Sequence, residues 1–241
     1  MGSKLSEPVN KTQLDIERAE DRGIIHRDYA AHYFRWSFAL RYIDYQSKVL
    51  DIGCANGMLA QVLYVNKYKP KLYVGIDIRP NVLQAIRERK VNFPVETRCI
   101  DLRVKDIPFD AETFDTEVSF EMVEHITPNY LNHILVEASR VLKPDGRFLL
   151  STPNFNGSAA ANHVHEFREE ELRGYLEKVF DVVNQFGTFA SKPDIYQVLT
   201  EAERSIYDRL WNYYDNNVMS NIFAPLYPHH SRNILWVLKK K

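Results

Sequence analysis

An α/β fold, with a mainly parallel sheet and helices on both faces, is what this 241-residue sequence predicts. Three observations predict it. Apolar strand-like runs alternate with amphipathic helical stretches at the spacing of crossover units. The first run, Val49-Leu50-Asp51-Ile52, breaks at once into the small-residue turn Gly53-Cys54-Ala55-Asn56-Gly57 and then a helix. Acids stand at or just after the ends of the first three strands, at Asp51, Asp77 and Asp101. Ligands of such sheets sit at the carboxyl ends of the strands, so these acids are expected to line one cleft.

After a polar start, Asp28 is expected to cap a helix in which Tyr29, Tyr33, Phe34, Phe38, Tyr42 and Ile43 recur at helical spacing. Residues 1–46 are read as a helical lid. The expected core, residues 47–188, opens with a strand at 48–52, a helix from Asn56 to about Asn66 and a strand at 71–77. Pro80 then starts a helix whose buried stripe is Val82, Ala85 and Ile86. Strands follow at 94–98 and 114–120. Thr127 and Pro128 occupy the N-cap and first turn of a helix with Leu131, Ile134, Leu135, Ala138, Val141 and Leu142 on one face. Pro144-Asp145-Gly146 turns the chain into a strand at 147–151. A helix carrying Leu172, Tyr175, Leu176 and Val179 leads to a strand at 180–186, and the last strand lies in the closing segment, residues 233–241. About forty residues separate these two strands, too many for a bare connection. Thr200 and Glu203 form a capping-box pattern there, and Ile206, Tyr207, Leu210, Trp211 and Tyr214 make an amphipathic face. Residues 189–232 are therefore read as a helical cap inserted over the carboxyl edge of the sheet, with a packing element or a dimer face as the other roles open to it.

Composition removes some function classes. The chain is 45% hydrophobic with a formal net charge of -1, which gives no electrostatic case for bulk nucleic-acid or membrane binding. No apolar run is long enough to span a bilayer and no signal-type segment opens the chain, so no membrane is expected. Cys54 and Cys99 lack the C-x-x-C spacing, and the expected compartment is the reducing cytoplasm. The sequons at Asn10 and Asn156 then carry no meaning, and residues 1–6 fit the N-myristoylation pattern only formally. Oligomeric state is not legible.

The chemistry starts at the glycine turn. Gly53, Ala55 and Gly57 allow close approach of a ligand to the backbone, and the following helix points free N–H groups into the same cleft. A carboxylate at the end of the second strand, Asp77, suits the paired hydroxyls of a ribose. Asp101 and Leu102 suit an adenine, the acid near its amine and the leucine against its ring. Any of these acids alone also serves as a cap or turn former. In register, the three favour a nucleoside.

On these residues the chain resembles the class I S-adenosylmethionine-dependent methyltransferases, over residues 48–152 and the terminal strand. Residues 49–60 look like their glycine motif and Val74-Gly75-Ile76-Asp77 like their ribose-binding strand end. Ile107-Pro108-Phe109 with Phe114-Asp115 is similar to their run into the fourth strand, and residues 140–147 to their helix-turn-strand. Ala55 replaces the glycine most common there. The G-x-G-x-x-G spacing of hydride-transferring enzymes is absent. The resemblance implies a Rossmann-like, seven-stranded, mainly parallel sheet with its last strand antiparallel. It implies an S-adenosylmethionine site formed by Asp51, Gly53, Ala55, Gly57, Asp77, Ile78, Asp101, Leu102, Phe120 and Glu121.

The acceptor half is less specific. Glu121-Met122-Val123-Glu124-His125 follows the fourth strand, where a helical turn would put both acids and His125 on one side. Thr152-Pro153-Asn154 opens a polar loop that reaches Asn162-His163-Val164-His165-Glu166-Phe167. Methyltransferases of quinols, sugars and other small molecules look similar and need no metal. On that favoured reading Glu124, His125 and His163 are the catalytic candidates for oxygen methylation of a small or glycosyl acceptor. The alternative is resemblance to metal-dependent 2′-O-methyltransferases of small RNAs, in which Glu121, Glu124, His125 and His163 would correspond to ligands of Mg²⁺ or Mn²⁺ and RNA would be the acceptor. A third reading is a cofactor-binding scaffold or partner module without turnover. Substrate contacts are expected from Tyr29, Tyr33, Asn154, His165, Trp211 and Tyr214, with Tyr213, His229 and His230 nearby in the cap.

Overall fold

The computed structural model describes residues 29–157 and 159–241, without the side chains of residues 29 and 30. The expected cap at Asp28, the Asn10 sequon and the pattern in residues 1–6 lie outside the described residues, as does the side chain of Tyr29.

Seven strands form one sheet: β1 is Lys48–Ile52, β2 Leu72–Asp77, β3 Val95–Cys99, β4 Phe114–Phe120, β5 Leu142–Pro153, β6 Phe180–Phe189 and β7 Asn233–Lys240. Their order is β3-β2-β1-β4-β5-β7-β6. The first five pair in parallel, and β7 runs antiparallel to both β5 and β6. The chain builds outward from β1 to β3 and then returns to β4 on the other side of β1. That reversal leaves a crevice at the carboxyl ends of β1 and β4, where a ligand can enter.

Each sheet face is covered because the central strands are apolar on both sides. On one face α1 (Tyr29–Ala39), α2 (Met58–Val65) and α3 (Pro80–Glu88) bury Trp36, Phe38, Leu59, Leu63, Leu83 and Ile86 against Val49, Val118 and Leu149. On the other, α4 (Pro128–Val141) and α5 (Glu169–Leu176) bury Leu131, Leu135, Leu172 and Leu176 against Leu50, Ile76, Phe148 and Trp236. Burial of this many large apolar side chains, at roughly 1.5–3 kcal/mol each, is what holds the helices to the sheet.

Several boundaries and one buried stripe differ from the sequence expectation. The helix α2 begins at Met58 rather than Asn56, because Gly57 takes the N-cap in the left-handed region at φ 76°. In α3 the buried residues are Leu83 and Ile86, with Val82 and Ala85 only half-buried. The strand expected at 147–151 is longer at both ends. It absorbs Pro144-Asp145-Gly146 through a register shift between Phe114 and Thr116 on β4.

Between β6 and β7 the chain forms α6 (Lys192–Tyr196), α7 (Glu201–Trp211) and α8 (Asn216–Phe223) around a small core of their own, built on Ile195, Leu199, Tyr207, Met219 and Phe223. The expected capping box is present: Glu203 N–H donates to Thr200 Oγ1 (3.3 Å) and Thr200 N–H to Glu203 Oε2 (2.8 Å). The face expected to be buried is narrower than its periodicity suggests. Tyr207 is buried, Leu210 and Trp211 pack partly, and Ile206 and Tyr214 stay exposed. Lys192 Nζ lies over the rings of Tyr196, Tyr207 and Trp211, at 5.6, 5.7 and 4.3 Å, a three-ring contact that pins α6 to α7. No helix among the described residues is long and apolar enough to cross a membrane.

Candidate active site

The turn after β1 is tied to the end of β2. The N–H groups of Gly53 and Cys54 both donate to the Ile76 carbonyl, at 2.8 and 3.0 Å. Gly53, Ala55 and Gly57 all have positive φ, at 73°, 46° and 76°. A Cβ at Gly53 would stand 2.4 Å from Met122 Cγ, so glycine is required there on two counts. The alanine in this conformation is held by its N–H, which donates to Asp77 Oδ2 at 3.0 Å. Asp77, the last residue of β2, also accepts from Arg79 N–H (2.9 Å) and Nε (3.0 Å).

Asp51 lies inside β1 rather than after it, buried, and accepts from the Tyr73 hydroxyl at 2.5 Å. Burial pushes its carboxyl up to about 7, the Tyr73 bond opposes the rise, and the charge of Asp77 adds to it. Burial, with the same two acids, also pushes the Cys54 thiol up, so that thiol is no nucleophile at neutral pH. Past β3, the carboxyl of Asp101 is held down to about 2 by the Arg103 side chain at 2.7 Å. Leu102 packs half-buried against the core, Ile78 is 49% exposed beside Asp77, and Phe120 ends β4 half-buried. The set fits a cationic nucleoside. Two buried carboxyls already strain one another electrostatically, and the turn's backbone opens at the start of α2.

Beyond β4 the backbone turns sharply at Glu121, φ 54°, into a 3-10 turn, Val123–His125. Glu121 is committed to other partners. It accepts from Ser151 Oγ (2.9 Å) and Asn233 Nδ2 (2.8 Å), with buried Arg35 of α1 at 3.7 Å, and Arg35 in turn donates to Thr188 on β6 (3.1 Å). Glu124 is buried and accepts from Thr152 Oγ1 at 3.0 Å. Burial first, and then Glu121, push its carboxyl well above the ordinary range. Its backbone carbonyl receives the N–H groups of Val164 (2.8 Å) and His165 (3.1 Å), which clamps the second histidine loop onto the 3-10 turn.

That clamp brings two histidines together. The rings of His125 and His163 meet edge to face with centroids 5.1 Å apart. His163 Nδ1 donates to buried Glu166 at 2.6 Å, and His125 Nδ1 to the Asn162 carbonyl at 3.2 Å, which leaves the Nε2 lone pair of each ring free. Partial desolvation, and then His163, draw the His125 ring below its ordinary value, so it is neutral at pH 7. Among the described residues, ligand atoms of Glu124, His125 and His163 all lie within 4.8 Å of one another, and Glu121 is not part of that group.

The remaining candidates are distributed differently. His165 is diverted to Glu171 (2.9 Å) and packs edge-on against Phe167 (centroids 4.5 Å), on the far side of the loop from His163. Trp211 is engaged with Lys192 and Tyr207 inside the cap, while Tyr33 and Tyr214 are exposed. Asn154 N–H donates to Arg232 at 2.7 Å. Sequence reasoning assigned no role to Tyr73, Thr152, Glu166 and Arg35, although Thr152 and Glu166 lie in the loop runs it singled out. Two of these had a signal: an arginine on the apolar face of α1, and a glutamate three residues after His163.

Residues 50–150 match the model of a methyltransferase domain. The Ubiquinone biosynthesis O-methyltransferase of Haemophilus ducreyi is 31% identical over 112 residues, which is 44% of this chain and 45% of that protein. The Demethylmenaquinone methyltransferase of Tropheryma whipplei (strain Twist) is 24% identical over 208 residues, 86% of this chain and 76% of that one. Among solved structures, a SAM dependent methyltransferase from Archaeoglobus fulgidus superposes with a TM-score of 0.61 at 18% identity, covering 93% of this chain and 98% of that one. Fold, glycine turn and sequence match agree: residues 50–150 are similar to a methyltransferase domain, and the Rossmann-like fold is the one found in S-adenosylmethionine-dependent methyltransferases. The matched stretch spans less than half of the H. ducreyi protein.

Proposed function

We propose that the chain transfers a methyl group from S-adenosylmethionine to a hydroxyl oxygen of a small molecule, with His163 as general base. The observation that carries this reading is the His163–Glu166 pair facing His125. When bound, the cofactor supplies an electrophilic methyl on a sulfonium. The turn from Gly53 to Gly57 would hold it, with Asp77 at its ribose, Asp101 and Leu102 at its adenine and Asp51 near its positive charge. A hydroxyl is a weak nucleophile and gains from a base, whereas alignment alone supplies much of the remaining catalysis. Glu166 fixes the His163 tautomer, so Nε2 can take the acceptor's proton while the buried carboxylate stabilises the imidazolium that forms. Neutral His125 orients the same hydroxyl. The oxygen-methylating relative of ubiquinone biosynthesis supports oxygen as the acceptor atom.

A second reading is favoured by one observation, the mutual approach of Glu124, His125 and His163. Two imidazoles and a carboxylate are a donor set for a first-row divalent cation, which would polarise the acceptor oxygen, and Glu166 would then orient a metal-bound imidazole. The test is transfer of labelled methyl to a panel of sugars, quinols and small RNA, with and without chelator, beside metal analysis of the purified protein. Chelator-insensitive label in a small molecule is expected. Label confined to RNA and abolished by chelator would replace the first reading with the second.

A further inference from the structure

A cavity of about 380 Å³ opens between the end of β5 and the start of α5. Its walls are Asn154 and Phe155, the first turn of α5, Arg173 and His229. Two of these walls continue along the chain into residues that contact the histidine cluster. Asn154 stands two residues beyond Thr152, whose hydroxyl donates to Glu124 at 3.0 Å, a chain reach of about 7 Å. Phe155 N–H donates to the Phe167 carbonyl (2.9 Å), and Phe167 follows Glu166, the partner of His163.

The lining separates into committed and uncommitted groups. Glu169 is committed: it accepts from His229 (2.6 Å), Gln185 (3.1 Å) and Arg173 (3.4 Å). The Arg168 guanidinium stacks 5.4 Å over the Phe155 ring. Among the described residues, its N–H groups, the Asn154 side chain and the Glu170 carboxylate have no protein partner. The two arginines balance the two glutamates. An anion such as phosphate would gain from one pair and lose to the other. A neutral ring bearing several hydroxyls uses both signs, because each hydroxyl donates to Glu170 or the Asn154 carbonyl and accepts from Arg168 or the Asn154 amide. The stacked Phe155 and Arg168 give the C–H side of that ring a flat surface.

We infer that this cavity is the acceptor subsite and that it takes a neutral polyhydroxylated ring, of the sugar type, seated so that one hydroxyl reaches the Glu124-His125-His163 cluster. The inference rests on the methyl-transfer reading of that cluster. It is tested on the full chain by saturation-transfer NMR titration with methyl glycosides of glucose, galactose, mannose and rhamnose, beside inorganic phosphate and hydroquinone as competitors. At least one glycoside is expected to bind. Glu170→Gln and Asn154→Ala should each weaken it about fivefold, the loss of a hydrogen bond or two, without changing the affinity for S-adenosylmethionine. Binding of no glycoside, binding indifferent to both substitutions, or displacement by phosphate overturns the subsite. The two readings fail separately. Labelled methyl on quinol or RNA without glycoside binding removes the subsite alone, whereas glycoside binding by a protein that does not bind S-adenosylmethionine removes the methyl-transfer reading.

Discussion

Asp51 shows at the scale of one residue how burial changes the titration of an acid. Its carboxyl titrates at about 7 in the folded chain against about 3.9 unfolded, so the native state binds the extra proton between those values. Stability therefore falls as pH rises from about 4 to about 7, by at most about 4 kcal/mol for this group, and stays at the lower level above that. Asp51→Asn should remove this slope and stabilise the protein at pH 8 but not at pH 4, as read from urea denaturation at both values. Binding of a cationic cofactor near pH 7 should release the same proton, which calorimetry in buffers of different ionisation enthalpy would detect. At His163 the prediction concerns rate. Glu166→Gln keeps the shape but withdraws the carboxylate, and should lower kcat roughly 10- to 100-fold with KM little changed. An unchanged kcat in steady-state methyl-transfer assays would sink the base assignment. The positions of Asp77 and Asp101 at and just after strand ends were legible because a strand end followed by an acid is a local pattern. Glu166 was passed over because its role exists only once the loop folds back.

At the scale of elements, the glycine turn and the cap behave differently under substitution. Gly53→Ala forces a Cβ into Met122 at a left-handed φ, and should cost about 1–3 kcal/mol together with most of the cofactor affinity, measured by thermal shift with and without S-adenosylmethionine. Thr200→Ala removes half of the capping box on α7 and should cost about 1 kcal/mol locally. Hydrogen exchange would then quicken in α7 while the strands keep their protection. The strands and most helices were readable from periodicity alone, since burial on both faces and amphipathic stripes leave strong patterns. Boundaries were not. Gly57 displaced the start of α2 by taking a conformation no periodicity reveals, and β5 ran through a Pro-Asp-Gly turn because β4 offered a shifted register on which to continue.

For the whole molecule, three buried acids, Asp51, Glu117 and Glu124, all have their carboxyls raised by burial, and between pH 5 and pH 8 their contribution outweighs the opposite one of the lowered His125 ring. Glu117 is the clearest case. It lies in the middle of β4, fully buried, and neither oxygen has a hydrogen-bond partner among the described residues. Each raised acid contributes a loss of stability as pH climbs through the interval between its unfolded and folded values. The midpoint of urea denaturation should accordingly be lower at pH 8 than at pH 5. Glu117→Leu should lift the pH 8 value by about 2 kcal/mol or more, since an apolar side chain of similar size removes the cost of an unpaired buried group. A midpoint that rises from pH 5 to pH 8 would contradict the account.

The sequence by itself determined the order of strands and helices, the class of fold, the glycine turn and the acids at the strand ends, because each depends on residues within one turn or one strand of each other. Only the tertiary structure decided which members of the acceptor set meet. It turned Glu121 toward Ser151, Asn233 and Arg35, joined Glu124 and His125 to His163, and sent His165 to Glu171. The physical reason is distance along the chain. His125 and His163 are brought together by two backbone hydrogen bonds onto the Glu124 carbonyl, and no local pattern encodes where a loop some forty residues further on will dock.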